Sequence, residues 1–147
     1  MRVYLAAAMT NTSRDVGAIG ALLEAIESCG HQVPTRHVAD PLGREVEGAV
    51  TDVDIARRDL DWLAGCDALV AEVSTPSHGV GVEVAAALRH GLPVLLVHRR
   101  GAQVSRLLLG LAGVEVATYA HAGEAAKAVR GFLARIVSRP HRPETTV

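Results

Sequence analysis

The sequence is short of aromatic side chains: one tryptophan, one phenylalanine and two tyrosines make up 3% of 147 residues. So few stacking surfaces argue against a platform for single-stranded nucleic acid. An excess of charge is also missing. The formal net charge is −1, which provides no bulk attraction for a nucleic acid polymer. The two cysteines, Cys29 and Cys66, have no C-x-x-C spacing; they read as small core or boundary residues in a reducing compartment. No apolar run is long enough to span a membrane. The opening MRVYLAAAMT is too short in its apolar part for a signal peptide and turns polar at once, so it reads as a strand. A soluble cytoplasmic protein of one domain is expected.

What the sequence does have is apolar substance, 49% of its residues, arranged as alternating strand and helix patterns. RVYLAAAM reads as a first strand. A loop, TNTSRD, leads to a helix that ends near Cys29, with Gly30 as its stop. HQVPTRHV reads as a second, edge strand because of Pro34, and ADPLGREVEG as a loop. A helix follows over AVTDVDIARRDLDWLAG, then a buried strand DALVAEV. The next helix runs to about His90, the strand LPVLLVH follows, and a short helix covers about Ala102 to Leu111. VEVATY is a fifth strand, and a last helix runs from about Gly123 to Val137. Residues 1–138 are expected to form the domain. The tail, 139–147, has prolines and no apolar periodicity and is expected to be disordered. The pattern predicts an α/β fold, a single-domain open parallel five-stranded sheet of flavodoxin or Rossmann-like type with strand order 2-1-3-4-5. Ligands of such sheets bind beyond the strands' carboxyl ends where the order reverses. Here that crevice lies between Ala7–Asn11 and Ser74–Glu83.

The second of those segments, STPSHGVGVEVAAAL, is a glycine turn entering a helix. Gly79 and Gly81 allow backbone amides to approach a ligand, and the helix start favours an anion. The turn is not a dinucleotide fingerprint: Val84 stands where a third small residue is needed, and the turn follows the wrong strand. The sequence has no phosphate-binding P-loop, no G-x-S-x-G and no H-E-x-x-H, so no metal or organic cofactor is expected.

Glu83 has two readings. It can be a first-turn charge facing solvent and favouring the helix dipole. Alternatively, set among Val80, Val82, Val84 and alanines, it is an ionised, partly dry carboxylate able to attack an anomeric carbon. Such a nucleophile needs a proton donor. On the Ala49–Gly65 helix, Val53, Ala56, Leu60, Leu63 and Ala64 form an apolar stripe. Asp52 and Asp59 lie along one edge of it, Asp54 and Asp61 on the other side. An aspartate at a core border can serve as a general acid, and two carboxylates facing one crevice is the arrangement that cleaves glycosides. Surface charges are the plainer reading of all four.

RRDLDWLAGCDALVAEVSTPSHGVGVEVAAAL resembles the core of the 2′-deoxynucleoside 5′-monophosphate N-hydrolase (Rcl) family, related to the nucleoside 2-deoxyribosyltransferases. The likeness extends more weakly over the chain except its tail. It implies that Glu83 is the nucleophile at C1′ of deoxyribose and Asp59 the acid that assists the departing base. It implies that Ser77, Gly79 and Gly81 cradle the 5′-phosphate. Ser105 would reach the phosphate of a neighbouring subunit, giving a homodimer with a shared active site. Tyr4 would lie near the sugar and His37 near the site, although a loop histidine without a role is an equal reading of His37. One departure stands out. The family's Gly-Ser-hydrophobic-Arg turn is here AAAMTNTSRD, with Ala7 and Ala8 for the small pair and Thr10 for the arginine; Arg14 is left to compensate.

The resemblance therefore implies hydrolysis of a nucleotide, a small-molecule substrate, to free base and 2-deoxyribose 5-phosphate through a covalent glycosyl-enzyme. Two alternatives stand beside it. One is a nucleoside 2-deoxyribosyltransferase, favoured by the missing arginine. The other is a non-catalytic nucleotide-binding module, disfavoured by the acid and nucleophile pair.

Overall fold

The computed structural model describes residues 1–43 and 48–138; the expected tail, 139–147, and part of the loop ADPLGREVEG lie outside the described residues. Among the described residues, strands β1 (Val3–Ala6), β2 (Ala68–Glu72), β3 (Val94–Arg99) and β4 (Val114–Tyr119) form one parallel sheet in the order β1-β2-β3-β4. Val3 lies opposite Ala68, Leu69 opposite Val94, and Val94 opposite Val114. The helices are α1 (Val16–Ser28), α2 (Asp52–Ala64), α3 (His78–Arg89), α4 (Arg106–Leu109) and α5 (Ala122–Val137), with a 3₁₀ turn over Arg36–Ala39.

The strands are apolar on both faces because helices cover both. Val3, Leu5, Val70, Leu95 and Val97 pack against Ile19, Leu22 and Ile26 of α1 and Val129, Phe132 and Leu133 of α5. The alternate residues, Tyr4, Ala6, Leu69, Ala71 and Leu96, face the other way, toward Leu63 of α2 and Val80, Val84 and Ala87 of α3. This period of two puts Tyr4 on the α2/α3 side. Local chemistry sets the helix starts: Asp15, Thr51 and Ser77 each accept a hydrogen bond from a backbone N–H of their own first turn. Gly30 (φ 81°) and Gly91 (φ 70°) follow α1 and α3 in a left-handed conformation that a side chain would strain.

The expected second strand does not form, and the five-stranded order 2-1-3-4-5 is corrected to four strands. What remains of it is one parallel bridge, Arg2 with Gln32, on the outer side of β1. Pro34 brings no N–H to a ladder. Thr35 closes the gap with its side chain: Oγ1 accepts from Leu5 N at 3.0 Å and donates to Leu5 O at 2.7 Å. A buried hydroxyl thus satisfies both backbone groups that a strand would have paired. The short helix is also smaller than expected, four residues instead of about ten.

The face of α2 is corrected as well. Of the expected apolar stripe only Leu63 is buried; Val53 is 66% exposed and Leu60 41%. The helix instead turns Ile55, Arg58, Asp59 and Trp62 inward to half-buried positions, while Asp52, Asp54 and Asp61 are exposed.

Thr35→Val keeps the shape of Thr35 but orphans the N–H and C=O of Leu5. It is expected to cost about 1–3 kcal/mol of stability, while Thr35→Ser retains most of it. Urea denaturation of the three proteins measures this; equal midpoints for Val and Thr would show the edge is solvated without the hydroxyl.

Candidate active site

At the carboxyl ends of β1 and β2 a cavity of about 750 Å³ opens. The β1 side contributes Ala7, Met9, Thr10, Asn11 and Thr12; the start of α3 contributes Pro76 through Val80 and Glu83; α2 contributes Ile55 and Asp59. Glu83 and Asp59, remote in sequence, therefore share one cavity, at the place where the alternating pattern put the crevice.

Glu83 is half-buried, and its Oε1 accepts a 2.6 Å hydrogen bond from the Tyr4 hydroxyl. Tyr4 is 1% exposed. Burial, then the charge and hydrogen bond of Glu83, hold its phenol far above the ordinary value, so it stays a neutral donor. One carboxylate oxygen of Glu83 is thus fixed. Asp59 is held in a comparable way: Arg58 Nε and Nη2 both lie 2.8 Å from its Oδ1. The Arg58 guanidinium lies 4.8 Å from the centre of the Trp62 ring, and Trp62 lies 5.9 Å from the His37 ring. His37 thus stands behind Trp62 rather than among the lining residues.

The other candidates divide. Ala7, Ser77 and Gly79 line the cavity. Ser77 Oγ caps α3, accepting from Val80 N at 3.4 Å. A Cβ on Gly79 would meet nothing nearer than Ser77 Oγ at 3.8 Å, and one on Gly81 nothing within 4 Å. The fold itself has room for side chains there, so the glycines keep space open. Gly81 and Ser105 lie in an adjoining apolar groove of about 640 Å³, with Val82, Leu107 and Leu108. Ser105 does not line the cavity of its own chain. Arg14 does not either: it donates to Ala8 O at 3.0 Å and Asp40 O at 2.7 Å, tying together two loops. Sequence reasoning missed Thr12 and Ile55 as lining residues; His78 lay within the expected Ser74–Glu83 segment but was given no role of its own. The P-S-H-G-V-G stretch could have pointed to His78, which directly follows the helix cap.

Behind the cavity, the turn that carries Pro76 and Ser77 is anchored by a buried carboxylate. Glu72, 1% exposed, accepts from Ser74 N, from Ser74 Oγ and from the Tyr119 hydroxyl at 3.0 Å. Ser74 Oγ in turn accepts from Arg99 N at 2.7 Å. Among the described residues no group of three histidine, cysteine or acidic side chains is placed to hold a metal ion. No helix among them is long and apolar enough to cross a membrane.

A family model described as nucleoside 2-deoxyribosyltransferase matches residues 3–129. A Thermofilum pendens protein, provisionally named 2′-deoxynucleoside 5′-phosphate N-hydrolase 1, is 42% identical over 113 residues, 76% of this chain and 78% of that one. A Rattus norvegicus protein named 5-hydroxymethyl-dUMP N-hydrolase is 35% identical over 116 residues, 75% of this chain and 69% of that one. Among solved structures, a Clostridium botulinum CMP N-glycosidase matches with a TM-score of 0.67, covering 90% of this chain and 99% of its own. At 20% identity that match speaks for the shared fold alone.

Both tyrosines of the sequence, Tyr4 and Tyr119, are buried beside carboxylates. Tyr119 is raised to about 12, first by burial, and Tyr4 further. The folded protein therefore keeps these protons where an unfolded chain, with phenols near the ordinary value of about 10, gives them up. The stabilisation is complete below about pH 10 and is lost as pH rises through the folded values. Tyrosinate absorbance of the native protein is expected to stay flat to about pH 11 and to appear on unfolding; titration near pH 10 in the folded state would contradict this.

Proposed function

The chain belongs to the nucleoside 2-deoxyribosyltransferase family, and from that premise we propose that it hydrolyses the N-glycosidic bond of 2′-deoxynucleoside 5′-monophosphates. The observation that carries this reading is the presence of two carboxylates in one cavity, each with one oxygen held, Glu83 by Tyr4 and Asp59 by Arg58. The named N-hydrolase relatives support it.

Chemistry follows from that geometry. With Oε1 held by Tyr4, Glu83 presents Oε2 to C1′. The oxygen's electron pair forms the C1′–O bond as the C1′–N bond breaks, and the bonding pair leaves with the base. Asp59, once protonated in the substrate complex, gives that proton to the departing base, since a neutral base is a far better leaving group than its anion. The resulting Asp59 carboxylate then takes a proton from water, whose oxygen attacks C1′ and frees Glu83. The products are free base and 2-deoxyribose 5-phosphate. The positive charge that builds on the sugar in both steps is stabilised by the Glu83 carboxylate.

A transferase, in which a second base replaces water, is the other reading. One observation favours it: the described lining residues include two carboxylates and neither lysine nor arginine. The two are separated by incubating deoxynucleosides and their monophosphates with and without a second base and identifying the products.

Assembly belongs to the same proposal. Ser105 is exposed in the adjoining groove, next to Leu107 at 76% exposure and Val82 at 59%. A second copy seated on this apolar surface would bring its own Ser105 to the first chain's cavity, making a homodimer with shared sites.

Glu83→Gln is expected to abolish turnover with substrate binding nearly intact, because an amide is a very poor nucleophile. Asp59→Asn should slow the reaction by about 10²–10⁴-fold, and by much less for a nitrophenyl leaving group that needs no proton. Near wild-type kcat for Glu83→Gln would reduce Glu83 to a helix-start charge.

The shared site makes its own expectation. Ser105→Ala should raise KM for a monophosphate and barely change it for the nucleoside. Mixing Ser105→Ala with Glu83→Gln chains should restore tight-binding active sites in hybrids. A fully active monomer in sedimentation would rule the shared site out.

A further inference from the structure

The charge inventory around the cavity leaves one question. A nucleotide phosphate at neutral pH is close to a dianion, and the cavity already holds Glu83 and Asp59. The nearby arginines are committed elsewhere: Arg14 to the carbonyls of Ala8 and Asp40, Arg99 to Asp15, and Arg58 to Asp59. Of the described lining residues only His78 can become a cation. It is exposed and makes no hydrogen bond or ion pair among the described residues. It stands beside the Ser77 hydroxyl, at the rim where the polar cavity meets the apolar groove. Glu83 lies about 7.5 Å farther along the axis of α3, at 1.5 Å rise per residue. Both side chains nonetheless line the one cavity, so a single ligand can meet both.

We propose that His78 is a residue that selects for a 5′-phosphate, supplying at the rim a positive charge that the other described lining residues do not provide. This rests on the N-glycosidase reading and adds the element of substrate recognition to it. A protonated imidazole donates from both ring nitrogens, and a charge-assisted hydrogen bond to phosphate is stronger than a neutral one. The groups facing His78 are few. Among the described residues that line the cavity and groove with His78, Glu83 on α3 and Asp59 on α2 are charged; Thr10, Asn11 and Thr12 on the β1 side are neutral, as are Gln103 and Ser105 on the groove side. A phosphate bound beside the imidazole favours its cationic form.

The test uses the Glu83→Gln protein, which binds without turnover, and calorimetric titration with a deoxynucleoside monophosphate and the matching nucleoside. Adding His78→Gln is expected to weaken monophosphate binding about ten- to a hundredfold and nucleoside binding less than twofold. Adding His78→Lys should restore monophosphate binding, because the ammonium supplies the same positive charge. Unchanged monophosphate binding in His78→Gln, or an equal loss for the nucleoside, overturns the proposal. Two further outcomes separate it from the reading beneath it. If the Glu83 protein binds nucleosides only and the wild type cleaves them, His78 has no phosphate to select, and the N-glycosidic chemistry stands. If neither ligand binds and neither is cleaved, both fall.

Discussion

The hydrogen bond from Tyr4 to Glu83 joins residues 79 positions apart, and the rest of the site is arranged around it. It requires β1 and β2 to be neighbours, so that a side chain on the first strand can reach the helix that follows the second. It requires Tyr4 to point to the α2/α3 side, which the period of two along β1 decides. It also requires the phenol to keep its proton, and the dry surroundings of Tyr4 see to that. A surface carboxylate would turn both oxygens to water. Here one is held by the Tyr4 hydroxyl, which restrains the orientation of the carboxylate before any ligand arrives.

Much of this was legible in the sequence because parallel strands leave a strong mark. Their continuous apolar runs located all four strands, and the strand-to-helix alternation placed a crevice where the cavity lies. The second strand was misread for a local reason. HQVPTRHV has strand-like residues, yet Pro34 denies it a donor, and one threonine hydroxyl provides what a ladder would have supplied. Side-chain mimicry of backbone pairing has no periodicity for a pattern to detect. The face of α2 was misread for a different reason. Its apolar stripe is real in sequence, but Arg58 covers the Trp62 ring while pairing with Asp59, so a charged residue occupies the inward face. Periodicity reports that a stripe exists and says nothing of what covers it. Asp59 was picked out from four aspartates by its spacing from Glu83 in a family motif; composition alone could not have separated it from Asp52.

The site combines features that pull against each other. Two carboxylates suit the making and breaking of a bond at a sugar carbon, and they repel a phosphate. Glycines at 79 and 81 leave room where the fold could have accepted side chains. The network of Glu72, Ser74 and Tyr119 holds the turn that carries Pro76 and Ser77 without entering the cavity. Rigidity is thus concentrated behind the site and openness at its rim, the arrangement that binding and release both need.

The two borders of the sheet are unlike. On β1 the outward backbone groups are already spoken for by Gln32 and the Thr35 hydroxyl, so that border offers no template to a strand from another molecule. The opposite border is β4, whose outer side has no strand beside it among the described residues; Val116 is 45% exposed there, and Glu115 is bound to Arg135. Charge on an outermost strand discourages its pairing with a strand of another molecule. Any tendency of this protein to form fibrils would therefore be one-sided, starting at β4, and the Glu115–Arg135 pair is the guard that stands against it.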